Sequence, residues 1–349
     1  MEKLDFSSDY LEGCADPIME RLVATNHEKS EGYGLDCHSL RAQRLIKDAC
    51  GTPDAEVFFL VGGTQTNEVA ISALLAPWEG VIAATSGHIA VHEAGAIEAG
   101  GHKVLELPGH DGKLAAADVD EFMRLWEKDG NRDHMVQPAL IYISEPNEYG
   151  LLYSKAELEA LRTVADAHHL KIYCDGARLA YALAAPENNV TLEDLAHLTD
   201  AFYIGGTKCG ALFGEALVFP HPELAPHFFT FVKQRGALLA KGRLLGVQFE
   251  AFFEDGLYGR IGKPAIAQAR EISSAFEEAH IALAHPTQTN QVFPVLSDSQ
   301  AELLGEVTLA SFWEKPDEDH TIVRLATSWA TTDEDADALV RALASGILA

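Results

Sequence analysis

The side chain best suited to covalent chemistry is Lys208, in the run Gly205-Gly206-Thr207-Lys208-Cys209-Gly210. It lies inside the most apolar stretch of the chain, Ala201 to Pro220, where a lysine is rare unless it is paired or reactive. Desolvation lowers an ammonium pKa, and a neutral amine is what attack on a carbonyl requires. A strand-end lysine that snorkels to water is the plain alternative. The flanking glycines, which admit close approach of a bound group, favour the reactive reading.

Three further groups stand out. Asp175-Gly176-Ala177-Arg178 follows the apolar run Lys171–Cys174, and open α/β sheets place ligands at the carboxyl ends of their strands. An aspartate there can hold a cationic ring nitrogen, and the planar fork of Arg178 can clamp a carboxylate; a local Asp–Arg ion pair serves equally well as an explanation. Gly62-Gly63-Thr64-Gln65-Thr66-Asn67 closes one predicted strand and opens a helix, so its free N–H groups suit a phosphate; a capped turn is the simpler reading. It is neither a Walker loop nor G-x-G-x-x-G. His88 and His92 stand four apart with Glu93 adjacent, half of a metal site with no third ligand in a recognisable motif, so no metal is expected.

Short apolar runs must carry these groups. Val57–Val61, Val81–Ala84, Lys103–Leu107, Ala139–Ser144, Lys171–Cys174, Ala201–Ile204 and Ala216–Phe219 are continuous rather than alternating, as strands covered on both faces are. Helices intervene, with capping signals at Ser154–Glu157 and Thr191–Asp194. The alternation predicts an α/β fold with a mainly parallel seven-stranded sheet. Its last two strands are too close in sequence for a crossover and should pair antiparallel. Beyond Phe231 the rhythm changes: helices over Gly236–Phe253 and Pro264–His280, a strand Gln291–Leu296, a helix Gln300–Leu304, strands Glu306–Leu309 and Thr321–Ala326, and a helix from Thr332 towards Ile347. This predicts a large domain over residues 1–245 and a smaller C-terminal α/β domain over 246–349.

Composition narrows the partners. The chain has 349 residues, 47% of them hydrophobic, and carries 53 acidic against 26 basic side chains, a formal charge of −27. Such a surface repels nucleic-acid phosphates and anionic lipid, so neither nucleic acid nor membrane is an expected partner. Five cysteines with no C-x-x-C pair argue for a reducing compartment, and MEKLDFSSDY lacks the basic start and apolar run of a signal peptide. The expected location is cytoplasmic.

Taken in order, the glycine–threonine turn, the histidine, the strand-end aspartate and the glycine-flanked lysine resemble the pyridoxal-phosphate enzymes of the aspartate-aminotransferase fold, or fold type I. The nearest resemblance is to the threonine aldolase and β-eliminating lyase group, and it extends from Asp9-Tyr10 and Tyr33-Gly34 to Arg324. It implies a three-layer fold, pyridoxal 5'-phosphate as cofactor and a small amino acid as substrate. Lys208 would bond to the cofactor aldehyde, Asp175 would pair with the ring nitrogen, and His88 would stack on the ring. Gly63, Thr64 and Gln65 would hold the phosphate, with Lys241 and Arg243 as further candidates. Arg178 and Arg324 would bind the substrate carboxylate, with Ser8 nearby. Tyr33 would reach a neighbouring subunit's site, which implies a homodimer or homotetramer with shared sites.

The implied reaction is retro-aldol cleavage of a β-hydroxy amino acid, threonine or allo-threonine, to glycine and acetaldehyde. Many threonine aldolases carry Glu-Asn-Thr-His after the fourth strand; here the run is Glu145-Pro146-Asn147-Glu148, so Glu148 stands at the histidine position. A carboxylate there can act as base, redirect substrate choice, or merely pair locally. β-Elimination or transamination with the same cofactor, and a non-catalytic binding protein on the same fold, are the competing expectations.

Overall fold

The computed structural model describes residues 3–348. Its strands, in chain order, are β1 (Leu4–Asp5), β2 (Glu56–Leu60), β3 (Glu79–Ala84), β4 (Val104–Leu107), β5 (Gln137–Ser144), β6 (Lys171–Asp175), β7 (Ala201–Gly205), β8 (Glu215–Phe219), β9 (Gln291–Val292), β10 (Val295–Ser297), β11 (Thr308–Leu309), β12 (Ser311–Glu314) and β13 (His320–Ala326). Seven of them form one sheet in the order β2-β8-β7-β6-β5-β3-β4. The pairs β4–β3, β3–β5, β5–β6 and β6–β7 are parallel, while β8 runs antiparallel to both β7 and β2. The mainly parallel seven-stranded sheet expected from the sequence is therefore present, including its antiparallel return.

Both faces of this sheet are covered, which is why its strands read as unbroken apolar runs. Side chains alternate between the two faces. Ile141, Ile143, Ile172, Cys174, Phe202 and Ile204 join one core with the helices Cys37–Ala49, Lys155–Ala167 and Arg243–Glu254. Leu140, Tyr142, Tyr173 and Tyr203 join the other, under the helix Gly63–Leu74, with Val69, Ile71 and Leu74. Three central strands thus send a tyrosine each to the same face, beneath the helix that starts at the glycine–threonine turn. Both sequence-predicted capping signals are capping boxes: Ser154 with Glu157, and Thr191 with Asp194.

A second sheet has the order β10-β13-β12, with β9 also pairing β13. Its core joins Ile272 and Phe276 of the helix Lys263–Glu278, Leu339 of the helix Asp333–Ala344, Val292, Leu296 and Leu325. Phe6 belongs to this core too, because β1 pairs parallel with β11. Several expected boundaries move here. Gln291–Leu296 is broken into β9 and β10 around Phe293-Pro294, since proline brings no N–H to a ladder. The helix predicted from Gly236 begins only at Arg243; an earlier helix, Phe228–Gln234, stops before Gly236, whose φ is +66°. Of the strand predicted over Glu306–Leu309, Thr308–Leu309 form β11, while Glu306 and Val307 end the helix Asp298–Val307, whose start is a capping box of Ser297 and Gln300. β12 and β1 were not expected.

Candidate active site

Four strand ends and one helix start converge on a single cleft, lined by Gly62, Gly63, Thr64, His88, Glu148, Asp175, Arg178, Tyr203, Lys208 and Glu215 among others. At one corner β2 runs into the helix Gly63–Leu74. The first N–H groups of any helix lack an internal partner, and here the i−4 bonding begins only with Thr66 N–H to the Gly62 carbonyl, 3.0 Å. The amides of Gly63, Thr64 and Gln65 are therefore available, at the positive end of a twelve-residue helix.

Asp175 ends β6 and is buried. Its Oδ1 accepts from the Tyr203 hydroxyl and, at 3.0 Å, from the Ala177 N–H; its Oδ2 accepts from the Tyr142 hydroxyl at 2.7 Å and Asn67 Nδ2 at 2.9 Å. Burial raises the carboxyl's pKa, but nearby His88 and the Tyr203, Asn67 and Tyr142 donors outweigh it, so the net shift is downward and the group is ionised. The tyrosines come from the sheet face described above. Asn67, one turn into the glycine–threonine helix, is set by Tyr173, whose hydroxyl donates to Asn67 Oδ1 at 2.9 Å.

Lys208 faces this carboxylate from the 3₁₀ turn Thr207–Cys209 after β7. Desolvation and the Arg178 charge lower its pKa against the pull of Asp9, Asp175 and Glu215. The turn is fixed by Glu215, on the return strand β8. Its two carboxylate oxygens accept from the Gly206 N–H at 3.0 Å and the Thr207 hydroxyl at 2.9 Å. Burial pushes the Glu215 carboxyl up to about 8. The glycines around Lys208 serve the chain itself: a Cβ on Gly206 would lie 2.6 Å from the Gly214 carbonyl oxygen, and one on Gly205 2.4 Å from that of Ala177. Backbone packing between strand ends, rather than the approach of a bound group, accounts for these two glycines.

His88 opens a short helix after β3, where its Nδ1 lies 2.8 Å from Glu93 Oε1. Asn67 Nδ2 also donates to that Glu93 oxygen, at 2.6 Å, so one amide ties Glu93 to Asp175. Glu148 Oε1 accepts from the His88 N–H at 2.9 Å and from the Ser144 hydroxyl at 2.7 Å. Burial raises the Glu148 pKa, with Asp175 adding to the rise and Ser144 and the His88 amide opposing it. Among the described residues no group of three His, Cys, Asp or Glu side chains is placed to hold a metal ion.

The carboxylate-binding candidates divide. Arg178 is engaged within the chain: its Nε and Nη2 donate to Asp9 Oδ2 and Oδ1 at 2.7 and 3.0 Å, and Asp9 is fully buried. The Asp–Arg pair considered for this motif is real, but its aspartate is Asp9 rather than Asp175. Arg324, on β13, has no acidic partner among the described residues. Its Nη2 donates to the Ser7 carbonyl at 3.1 Å, and its Nε is buried without a partner, as is the Ser8 hydroxyl. Burial and the Arg178 charge bring the Arg324 pKa down to about 10. Tyr33 stands apart from the cleft, in an apolar groove with Phe229 and Leu238, its ring 5.0 Å from Lys233 Nζ. Arg243 donates to the carbonyls of Glu28 and Thr25.

Asn67, Glu93, Tyr142, Ser144, Tyr203 and Glu215 were missed as site residues. The legible signal was the shared parity of the tyrosines within three adjacent strands.

The beta-eliminating lyase family model matches residues 5–299. The low specificity L-threonine aldolase of Pseudomonas sp. is 31% identical over 304 residues, covering 86% of each chain, and that of Pseudomonas aeruginosa is 29% identical over 302 residues with the same coverage. A solved structure of Leishmania major threonine aldolase superposes with a TM-score of 0.95 at 42% identity, covering 98% of this chain and 99% of that one. Thermus thermophilus aspartate aminotransferase, at 15% identity and a TM-score of 0.72, shares the fold. With most of its length matched by the family model and its whole fold by a solved threonine aldolase, the chain belongs to the beta-eliminating lyase family.

Proposed function

We propose that this protein is a pyridoxal-phosphate-dependent lyase that cleaves the Cα–Cβ bond of a β-hydroxy amino acid, L-threonine or allo-threonine, to glycine and an aldehyde. The observation that carries the reading is the placement of three unlike groups around one cleft: an amine of lowered pKa (Lys208), an ionised buried carboxylate (Asp175) and the helix start Gly63–Gln65. An aldehyde, a basic ring nitrogen and a phosphate are the three polar features of pyridoxal phosphate, and this donor set fits each of them. When bound, that cofactor supplies an electron sink that weakens bonds at the substrate Cα.

The chain's own residues do the rest. Lys208 would hold the cofactor aldehyde through its amine, whose lowered pKa favours the neutral form. Asp175 keeps a proton on the ring nitrogen; its four protein donors hold the carboxylate in place and keep it charged. The amides of Gly63, Thr64 and Gln65 receive the phosphate. His88, oriented by Glu93, would lie against the ring. Arg324, which lacks an acidic partner, binds the substrate carboxylate with Ser8 beside it; Arg178, held by Asp9, contributes charge and the face of its fork. Glu148 takes the proton from the substrate hydroxyl. Its Oε1 is fixed by two donors, and it lines the cleft beside Lys208.

The molecule works in the cytoplasm as a homodimer or homotetramer, with Tyr33 reaching a neighbouring copy's site. The apolar groove around Tyr33, where Phe229 and Leu35 are about half exposed, supports this reading. Acetaldehyde release from L-threonine by the cofactor-loaded protein tests the activity, with Lys208→Ala as control. Release that persists in Lys208→Ala sinks the assignment of the lysine; pyruvate and ammonia from serine without acetaldehyde from threonine make it an eliminating enzyme instead.

A further inference from the structure

β12 carries one residue more than the part of β13 it pairs with. Ser311 faces Arg324 and Phe312 faces Val323, but Glu314 faces Ile322, so Trp313 has no partner across the ladder. Such bulges bend a strand and re-aim a side chain, commonly beside a functional site. Here the indole is turned into the cleft, which it lines with Tyr10, His92, Tyr149, Lys208 and Arg324. Its ring lies 5.4 Å from the Arg324 guanidinium carbon. Ring centroids of Phe293, Tyr149 and His92 stand 5.2, 6.0 and 6.1 Å from it. Phe293 is buried, so the indole is backed by a ring that solvent does not reach.

Arg324 needs such a support. Among the described residues it has no carboxylate to fix it, and its one side-chain hydrogen bond runs to the Ser7 carbonyl. A bidentate grip on a substrate carboxylate requires the guanidinium in one orientation, and a single hydrogen bond fixes it only in part. The face of a tryptophan within about 6 Å attracts a cation without consuming any of its N–H donors.

We infer that Trp313 is the positioning residue for Arg324: its indole face holds the guanidinium ready for the substrate carboxylate, and with His92 and Tyr149 it forms the wall against which the substituent on the substrate Cβ packs. The inference rests on Arg324 as the carboxylate holder in the proposed function. It explains the extra residue in β12, which in-register pairing with β13 would not require.

Glycine separates the two parts, because it carries the α-carboxylate but no Cβ substituent. Glycine binding is titrated on the cofactor-loaded protein by the change in cofactor absorbance, and kcat and KM are measured for L-threonine. Trp313→Leu keeps an apolar side chain but removes the ring; Trp313→Phe keeps a ring; Arg324→Ala is the reference for a lost grip. Trp313→Leu should weaken glycine about fivefold, as expected for a partly desolvated cation–π contact. It should raise the threonine KM by more than that and leave kcat within about twofold of wild type. Trp313→Phe should recover most of the glycine affinity. Unchanged glycine binding in Trp313→Leu or in Arg324→Ala overturns the proposal, as does equal weakening by Leu and Phe. An equal loss on glycine and threonine overturns the wall. A wild-type protein that binds glycine yet releases no acetaldehyde overturns the aldolase reading alone, and the glycine comparison still decides on Trp313.

Discussion

Asp9→Asn should destabilise this protein by about 3 kcal/mol. The native Asp9 carboxylate accepts two bonds from Arg178 and a third, at 3.0 Å, from Asn290 Nδ2, with no exposure to solvent. An asparagine in its place presents one acceptor and an NH₂ group to three donors, and leaves the guanidinium buried without a counter-charge. Burial raises the Asp9 pKa, but Arg178, Lys208 and Asn290 bring it from 3.8 to about 2. At 1.36 kcal/mol per unit, that is about 2–3 kcal/mol of stability. Because the folded-state value is depressed, the contribution is fully present above pH 3.8 and is lost as pH falls through about 2. One-sided removal of a buried pair costs about 3–5 kcal/mol by the same physics. Urea denaturation at pH 7.5 and fixed protein concentration reads the loss. Adding Arg178→Met should recover part of it, since the stranded charge is then gone. A single-variant loss below about 1 kcal/mol, or a double variant as unstable as the two singles summed, would refute the pairing.

Three further outcomes follow from the geometry. Glu148→Gln should lower kcat/KM for threonine by about 10²–10⁴ and erase the limb that rises with pH through a pKa above 4.5, because the wild-type carboxyl is raised and acts as base only when ionised; an unchanged limb places the base elsewhere. Glu215 and Glu145, both raised to about 8 by burial, are protonated in the folded protein at neutral pH but not when unfolded, so stability should fall as pH rises from about 5 to 8, by up to about 1.4 kcal/mol per unit per group. Glu215→Gln should reduce that slope in denaturation measured at pH 5.5, 6.5 and 7.5, and an identical slope would contradict it. Gly206→Ala should destabilise by about 1–3 kcal/mol, since its Cβ meets the Gly214 carbonyl, whereas Gly62→Ala, with open space around its Cβ, should cost less than about 1 kcal/mol; comparable losses would mean that the lysine turn yields more than its packing implies.

Legibility of the site from sequence followed distance along the chain. Lys208, Asp175 and the Gly63–Gln65 turn each stand at the end of an apolar run, so strand and chemistry are read from the same few residues. Asn67, Tyr142 and Tyr203 are polar tips on otherwise core-facing side chains, and nothing local distinguishes a tyrosine that donates to Asp175 from one that fills space. Glu93 and Glu215 were two acids among 53 until folding buried them. Arg178 shows the limit most clearly: its partner Asp9 lies 169 residues away, and the local motif offered Asp175 instead. The large sheet was legible because burial on both faces writes a continuous pattern. The second sheet was less so, because its strands are short, one is interrupted by Pro294, and β12 is bulged.

The pairing of β1 with β11 sets an order of events during synthesis. Thr308 donates its hydroxyl to the Leu4 carbonyl across 304 residues, and Ser7 waits for Ser311 and Arg324. At about 5–20 residues per second, Leu4 leaves the ribosome roughly 15–60 s before Thr308. The same segment carries Asp9, the counter-charge of Arg178, and Ser7, the hydrogen-bonding anchor of Arg324. A nascent chain with its lysine already in place can therefore join Asp9 to Arg178 but still lacks Arg324 and the β1–β11 pairing beside it.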